Sequence, residues 1–137
     1  MPHLWIEYSA NVESSLDVDE FVRHMHQEAA ADGVFPLAGL RTRAVPVANY
    51  VIADGHPDNA FVHLTLRVLP GRDPGTQKAS TDRIFAAALE RLKPLSDRLP
   101  MAVSMHVETI EPDLGYRLST YRTHMAARAR DRLAGEA

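Results

Sequence analysis

The chain has 137 residues, of which 45% are hydrophobic and 24% are charged, as is usual for a single globular domain. Its net charge of −3 gives no reason to expect nucleic acid or an anionic membrane as a partner. The sequence contains no cysteine, which excludes disulfides, and no apolar run approaches the ~20 residues of a membrane span. The first residues lack the features of a signal peptide, so the sequence predicts a cytoplasmic protein.

The first predicted strand begins almost at the N-terminus. Apolar residues alternate with polar or aromatic ones over residues 3–9, the period of a half-buried β-strand. After removal of Met1, Pro2 would carry a secondary amine at the start of this strand. A free α-amine titrates at about 7.7–8.0, and partial burial lowers that pKa toward the range in which a general base works best. The alternative is that proline opens the strand only because its missing N–H costs nothing there.

A helix with marked ends follows this strand. Asp17 is a candidate N-cap with Glu20 three residues later, and apolar residues then recur at helical spacing. Gly33 is the expected stop of the helix. Residues 40–52 are predicted to form a second strand, so residues 2–52 make one β-α-β unit.

A second unit with the same order of elements covers about residues 60–110. Residues 61–69 alternate as a strand, and Pro74 is typical of a first helical position. Pro94 is expected to kink or end the helix, because a proline inside a helix removes a hydrogen bond. Residues 101–108 alternate as the final strand.

The two units can be superimposed with a constant shift of sixty positions, which suggests a duplication. This shift places Leu4 on Leu64 and Arg41 on Met101. The amine and Arg41 then occur only in the first unit, and Arg72 only in the second. The alternative is a chance likeness of two ordinary units. The sequence predicts an α+β fold, in which two fused β-α-β units form a four-stranded sheet with two helices on one face.

The C-terminal segment, residues 113–137, differs from both units. It carries a weak apolar stripe at helical spacing among five arginines, namely Arg117, Arg122, Arg128, Arg130 and Arg132. We expect a helical arm that packs on residues 1–112 or on a neighbouring subunit and belongs to the same domain.

Five short segments of the sequence identify its family more specifically together, through their mutual spacing, than any one of them does alone. They are Pro2-His3, Phe35 to Arg43 (FPLAGLRTR), Ala53-Asp54-Gly55, Ala60 to Leu66 (AFVHLTL) and Gly71-Arg72. In these segments the chain resembles the tautomerase superfamily, whose catalytic base is an amino-terminal proline. Within it, the match is to the 5-carboxymethyl-2-hydroxymuconate isomerases, which carry two fused β-α-β units. The resemblance covers residues 2 to about 110, and it assigns nothing to the arginine-rich segment.

This resemblance implies a site and an activity. Pro2 matches the base, Arg41 and Arg72 match catalytic and substrate-binding arginines, and Arg43 matches a further arginine that binds substrate. The implied reaction moves a proton along a conjugated unsaturated acid, in the degradation of aromatic compounds. The implied substrate is a small anionic dicarboxylate or tricarboxylate, the implied assembly is a homotrimer, and neither a metal nor an organic cofactor is implied.

Other interpretations of the same residues stay open at this point. The same proline could serve a keto–enol tautomerase, a hydratase or a dehalogenase, and the chain could also be a non-catalytic binding domain of this fold. The arginines of the second strand could be solvated or salt-bridged. His3 and His63 could pack, form hydrogen bonds or transfer protons. The sequence does not specify which acid is turned over.

Overall fold

A four-stranded sheet forms the centre of the computed structural model, which describes residues 1–136. The strands are β1 (His3–Ser9), β2 (Arg41–Val47), β3 (Ala60–Val68) and β4 (Met101–Thr109), and the helices are α1 (Val18–Ala30), α2 (Pro74–Ser96) and α3 (Tyr121–Glu136). The strand order is β2-β1-β3-β4. Within each unit the two strands are parallel, and the central strands β1 and β3 are antiparallel. The predicted fold, two β-α-β units in one sheet, is confirmed.

The hydrophobic core lies between the sheet and the two helices α1 and α2. Leu4 and Ile6 of β1 lie opposite Leu66 and Leu64 of β3, and each of the four is at most 1% exposed. The helices contribute Phe21, Met25, Ala29, Ile84, Ala88 and Leu92. Full burial of one such large side chain contributes roughly 1.5–3 kcal/mol, so the alternation of β1 and β3 fixes which sheet face the helices cover.

The predicted helix starts are confirmed by their capping bonds. The carboxylate of Asp17 accepts a hydrogen bond from the backbone N–H of Glu20 at 3.1 Å, and Asp73 caps α2 in the same way. The Glu20 carboxylate pairs with Arg91 of α2, so this side chain joins the two helices. Pro94 lies in the last turn of α2, and the helix ends two residues after it.

Strand β2 is shorter than the sequence predicts. The prediction covered residues 40–52, whereas β2 runs only from Arg41 to Val47. Val47 lies opposite Ser9, the last residue of β1, after which the chain turns into a short 3-10 helix. Because β2 is an edge strand paired only with β1, it ends where its partner ends.

The constant shift of sixty fails at the closing strands. The prediction places Arg41 on Met101, but the register pairs His3 with Arg41 and His63 with Ser104. Met101 packs against the core, whereas Arg41 shares the opposite sheet face with His3. The physical reason is that α2 has 23 residues and α1 has 13, while the connections around α2 are shorter, so the paired residues are 41 positions apart in the second unit and 38 in the first. The counterpart of Arg41 in the second unit is therefore Ser104.

The predicted C-terminal helix is confirmed as α3, which packs beside the short turn Leu37–Gly39. The placement of residues 113–137 in the same domain as residues 1–112 stays a prediction, and Ala137 lies outside the described residues. Within residues 1–136, none of the helices is apolar over a length sufficient to cross a bilayer.

Candidate active site

The first residues of the chain are held in place by the sheet and by the turn before β2. Pro2 is buried, and its carbonyl oxygen accepts a hydrogen bond from the backbone N–H of Arg41 at 3.1 Å. A Cβ atom on Gly39 would lie 3.3 Å from Cδ of Pro2, so this turn approaches the ring closely because it carries no side chain. The FPLAG segment of the sequence thus packs directly against Pro2.

Arg41 projects from the start of β2 toward the amino terminus. Its Nη1 lies 3.4 Å from Nε2 of His3 and 3.7 Å from the sulfur of Met1. The guanidinium carbon lies 5.3 Å from the centre of the Tyr121 ring, within the range of a cation–π contact. The structure therefore places this predicted site residue beside Met1, with α3 supplying an aromatic support.

Arg43 lies on the other side of His3. Its Nη1 is 3.2 Å from Nδ1 of His3, and its guanidinium carbon is 4.7 Å from the centre of the Trp5 ring. The imidazole thus lies between Arg41 and Arg43. A neutral imidazole has one donor and one acceptor, so His3 can accept a hydrogen bond from only one of these two arginines. Arg43 is thus connected to the first residues of the chain through His3.

Arg72 is fixed by backbone carbonyls. Its Nε donates to the carbonyl oxygen of Val34 at 2.9 Å, and its Nη1 donates to that of Leu69 at 2.8 Å. Its guanidinium carbon lies 4.9 Å from the centre of the Phe35 ring. A guanidinium has five N–H donors. These two bonds orient the group through Nε and Nη1 and do not involve the N–H donors of Nη2.

The pKa of the α-amino group depends on the charges around the amino terminus. Burial lowers the pKa of the Met1 α-amine, and the positive charges of Arg117, Arg72 and Arg41 lower it further, in that order. Arg41 belongs to the first unit and Arg72 to the second, and the charges of both act on the same amino group. Arg117 was missed by the sequence reasoning, which assigned no function to residues 113–137. Its only sequence signal was the run of arginines.

Two cavities lie beside the amino terminus. One, of about 310 Å³, is lined by Met1, His3, Tyr116 and Arg117 among others. The second, of about 440 Å³, is also lined by Met1 and Arg117, together with Gly39. Cavities of this size are typical of small-molecule sites. Arg41 and Arg72 line neither cavity, but their guanidinium groups contact the lining residues Met1 and Leu69.

His63, the second of the two histidines considered in the sequence, makes its hydrogen bond within the sheet. His63 lies opposite Glu7, and its Nδ1 is 2.7 Å from the Ser104 hydroxyl, a contact of the packing and hydrogen-bonding kind. Residues 1–136 bring together no cluster of three histidine or carboxylate side chains that could hold a metal ion.

The fold and the site define a protein of the tautomerase-like class, with two fused β-α-β units and arginines around its first residues. The model of a family described as 5-carboxymethyl-2-hydroxymuconate isomerase matches residues 2–125. The chain belongs to this family, as the sequence resemblance predicted. The match begins at Pro2 and extends to Met125, so it includes the segment that contains Arg117.

Individual relatives agree with this assignment. A 5-carboxymethyl-2-hydroxymuconate Delta-isomerase of Escherichia coli is 31% identical over 117 residues, which cover 85% of this chain and 93% of that protein. The crystal structure of a 5-carboxymethyl-2-hydroxymuconate isomerase from Deinococcus radiodurans R1 has a TM-score of 0.83 at 25% identity, and the match covers 90% of this chain and 93% of that one. A macrophage migration inhibitory factor-like protein from Entamoeba histolytica has a TM-score of 0.57 at 14% identity over 86% of this chain and 96% of its own, and it shares the fold alone.

His3 gives the site a testable pH dependence of stability. Burial and the charges of Arg41, Arg43 and Arg67 lower the pKa of His3 in the folded chain. The unfolded chain therefore binds more protons, and the free energy of unfolding falls as the pH drops below the unfolded value of about 6.5. We expect His3→Asn to flatten this dependence in urea unfolding measured between about pH 5 and 7. His124→Asn, at an exposed position of α3, is the control. Parallel profiles for wild type and His3→Asn would contradict this account.

Proposed function

We propose that this protein catalyses the isomerisation of 5-carboxymethyl-2-hydroxymuconate, with the amine of Pro2 as the general base after removal of Met1. Membership of the isomerase family and the name of the Escherichia coli relative support the reaction. The observation that carries the proposal is the position of the amino terminus, which is held at the start of an interior strand among arginines.

The chemistry requires an amine that is neutral at rest. Neutral Pro2 takes a proton from the substrate, the electron pair left behind moves along the conjugated system, and the ammonium form returns the proton at another position. No atom is gained or lost and the oxidation level of the substrate is unchanged, so the step needs neither an oxidant nor a reductant. Burial and nearby positive charge both lower the pKa of an amine, which favours the neutral form at neutral pH.

Arg41 and Arg72 are proposed to bind the substrate. A guanidinium grips a carboxylate through two parallel hydrogen bonds, and it also opposes negative charge that builds on a carbonyl oxygen. Arg41 and Arg72 are each stacked on an aromatic ring, so their planes are already oriented before an anion arrives. Arg43 is proposed to support binding by fixing His3, with which it is in contact.

We also propose that the chain assembles as a homotrimer. The sheet face opposite α1 and α2 carries Trp5 and Val45, each 37% exposed, together with the half-buried Phe61 of β3. Apolar groups on an uncovered sheet face are typical of a subunit contact. The trimer is what the family resemblance implies. The cytoplasmic location and the role in aromatic degradation stay predictions.

Processing of the amino terminus tests the proposed base directly. Intact mass of the active protein should be lower than that of the printed sequence by one methionine residue. Pro2→Ala, which keeps a free but primary amine, should lower kcat by about 10²–10⁴-fold, the usual contribution of a general base. Pro57→Ala, at an exposed loop proline, is the control. Fully active protein that retains Met1 would rule out the proposed base, because its Pro2 nitrogen is an amide.

The two proposed substrate arginines should differ in their effect on stability. Arg41→Ala should lower kcat/KM by about 10²–10³-fold, as expected when one charge-stabilising donor is removed. Arg72→Ala should lower kcat/KM and also the free energy of unfolding, because it leaves the carbonyls of Val34 and Leu69 without their partner. Arg23→Ala, an exposed arginine of α1 with the same change of charge, is the control. Wild-type kinetics in both variants would defeat these roles.

Sedimentation equilibrium tests the assembly. We expect a mass three times that of the 15.2 kDa chain. Trp5→Glu should dissociate the assembly, because it would bury a charge in the contact, whereas Leu89→Glu on the outer side of α2 should leave it intact. A monomeric wild type, or a Trp5→Glu variant with unchanged mass, would contradict the proposed interface.

A further inference from the structure

We infer that Arg117, in the segment between β4 and α3, binds a carboxylate of the substrate beside those held by Arg41 and Arg72. This inference rests on the proposed function. It gives a role in substrate binding to the C-terminal segment, which lies outside the two β-α-β units. Three properties of Arg117 suit it to this role: its position, its freedom from other contacts and its charge.

The position of Arg117 is central to the candidate site. It is one of only two residues, with Met1, that line both cavities beside the amino terminus. Without Met1, Arg117 is the residue that still lines both cavities. An anion that reaches Pro2 through either cavity would therefore meet Arg117. Gly115 and Tyr116 precede Arg117 in the wall of the smaller cavity, and Leu118 follows it in the wall of the larger one.

Arg117 is also the arginine of this cluster with its donors available. In the described part of the chain, its guanidinium enters none of the hydrogen bonds, ion pairs or ring contacts. Arg72, by contrast, already donates to two carbonyl oxygens, and Arg43 is held by His3 and Trp5. The N–H donors of Arg117 are therefore available to a ligand, and two of them suffice for a bidentate grip on a carboxylate.

The charge of the proposed substrate matches a third arginine. A muconate has two carboxylates, and the carboxymethyl group adds a third. Arg41 and Arg72 can each grip one of them, which leaves one carboxylate for Arg117. Arg117 lines both cavities together with Met1, and its positive charge lowers the pKa of the Met1 amine. A carboxylate bound there would offset that charge and make the amine more basic when the substrate is present.

Arg117→Gln tests this role, with Arg117→Lys as the charge-retaining variant and Arg132→Gln of α3 as the control. For Arg117→Gln we expect kcat/KM on 5-carboxymethyl-2-hydroxymuconate to fall about ten- to a hundredfold, the range of a charge-assisted hydrogen bond. On 2-hydroxymuconate, which lacks the third carboxylate, the loss should be much smaller. Arg117→Lys should recover part of the activity. The pH profile of kcat/KM for Arg117→Gln should shift to higher pH, which a purely structural role would not cause.

A binding measurement separates this inference from the proposed reaction. Titration calorimetry with tricarballylate, a saturated tricarboxylate, and with glutarate, a dicarboxylate, reports carboxylate binding without turnover. Weaker tricarballylate binding by Arg117→Gln, with glutarate binding unchanged, supports the inference even if the wild type fails to isomerise the muconate. An active wild type whose Arg117→Gln variant keeps the same kinetics and the same binding overturns the inference and leaves the proposed function standing.

Discussion

The fixed position of the amino terminus is the constraint on which the site depends. The ends of a chain are usually mobile, but here the first residues enter an interior strand with a neighbour on each side. On the β2 side, the backbone N–H of Arg41 donates to Pro2, and on the β3 side His3 lies opposite Arg67. A nitrogen at this place is held by backbone hydrogen bonds, so side chains from distant parts of the chain can be arranged around it.

The arginines around this nitrogen are held without carboxylates. Arg41, Arg43 and Arg72 stack on Tyr121, Trp5 and Phe35, and Arg72 also donates to backbone carbonyls. A lowered pKa favours the neutral form of His3, which lies between Arg41 and Arg43. Aromatic faces and carbonyl dipoles orient a guanidinium and leave its net charge in place, whereas an aspartate or glutamate would cancel it. A chain with a net charge of −3 thereby keeps a local positive field that attracts an acid.

Sequence reasoning predicted the features that depend on local pattern. The strand at 3–9, the cap at Asp17 and the order of the elements follow from periodicity and from short-range capping, and the resemblance added Arg41 and Arg72. The end of β2 was wrong because a strand ends where its partner ends, which is a long-range property. The shift of sixty failed because the helices and their connections differ in length between the two units. Arg117 was missed because only the folded chain brings the segment after β4 back to the amino terminus.

A sheet made of two β-α-β units can hold only one such site per chain. Because β1 and β3 are antiparallel, their first residues lie at opposite ends of the sheet, and the second end has no free amine. There the chain enters β3 through Asn59, whose side chain donates to the carbonyl of Ile52 and to the Asp54 carboxylate. The position that corresponds to Arg41 is Ser104, which brings no positive charge. The second unit instead supplies Arg72, whose charge acts on the amino terminus at the first end.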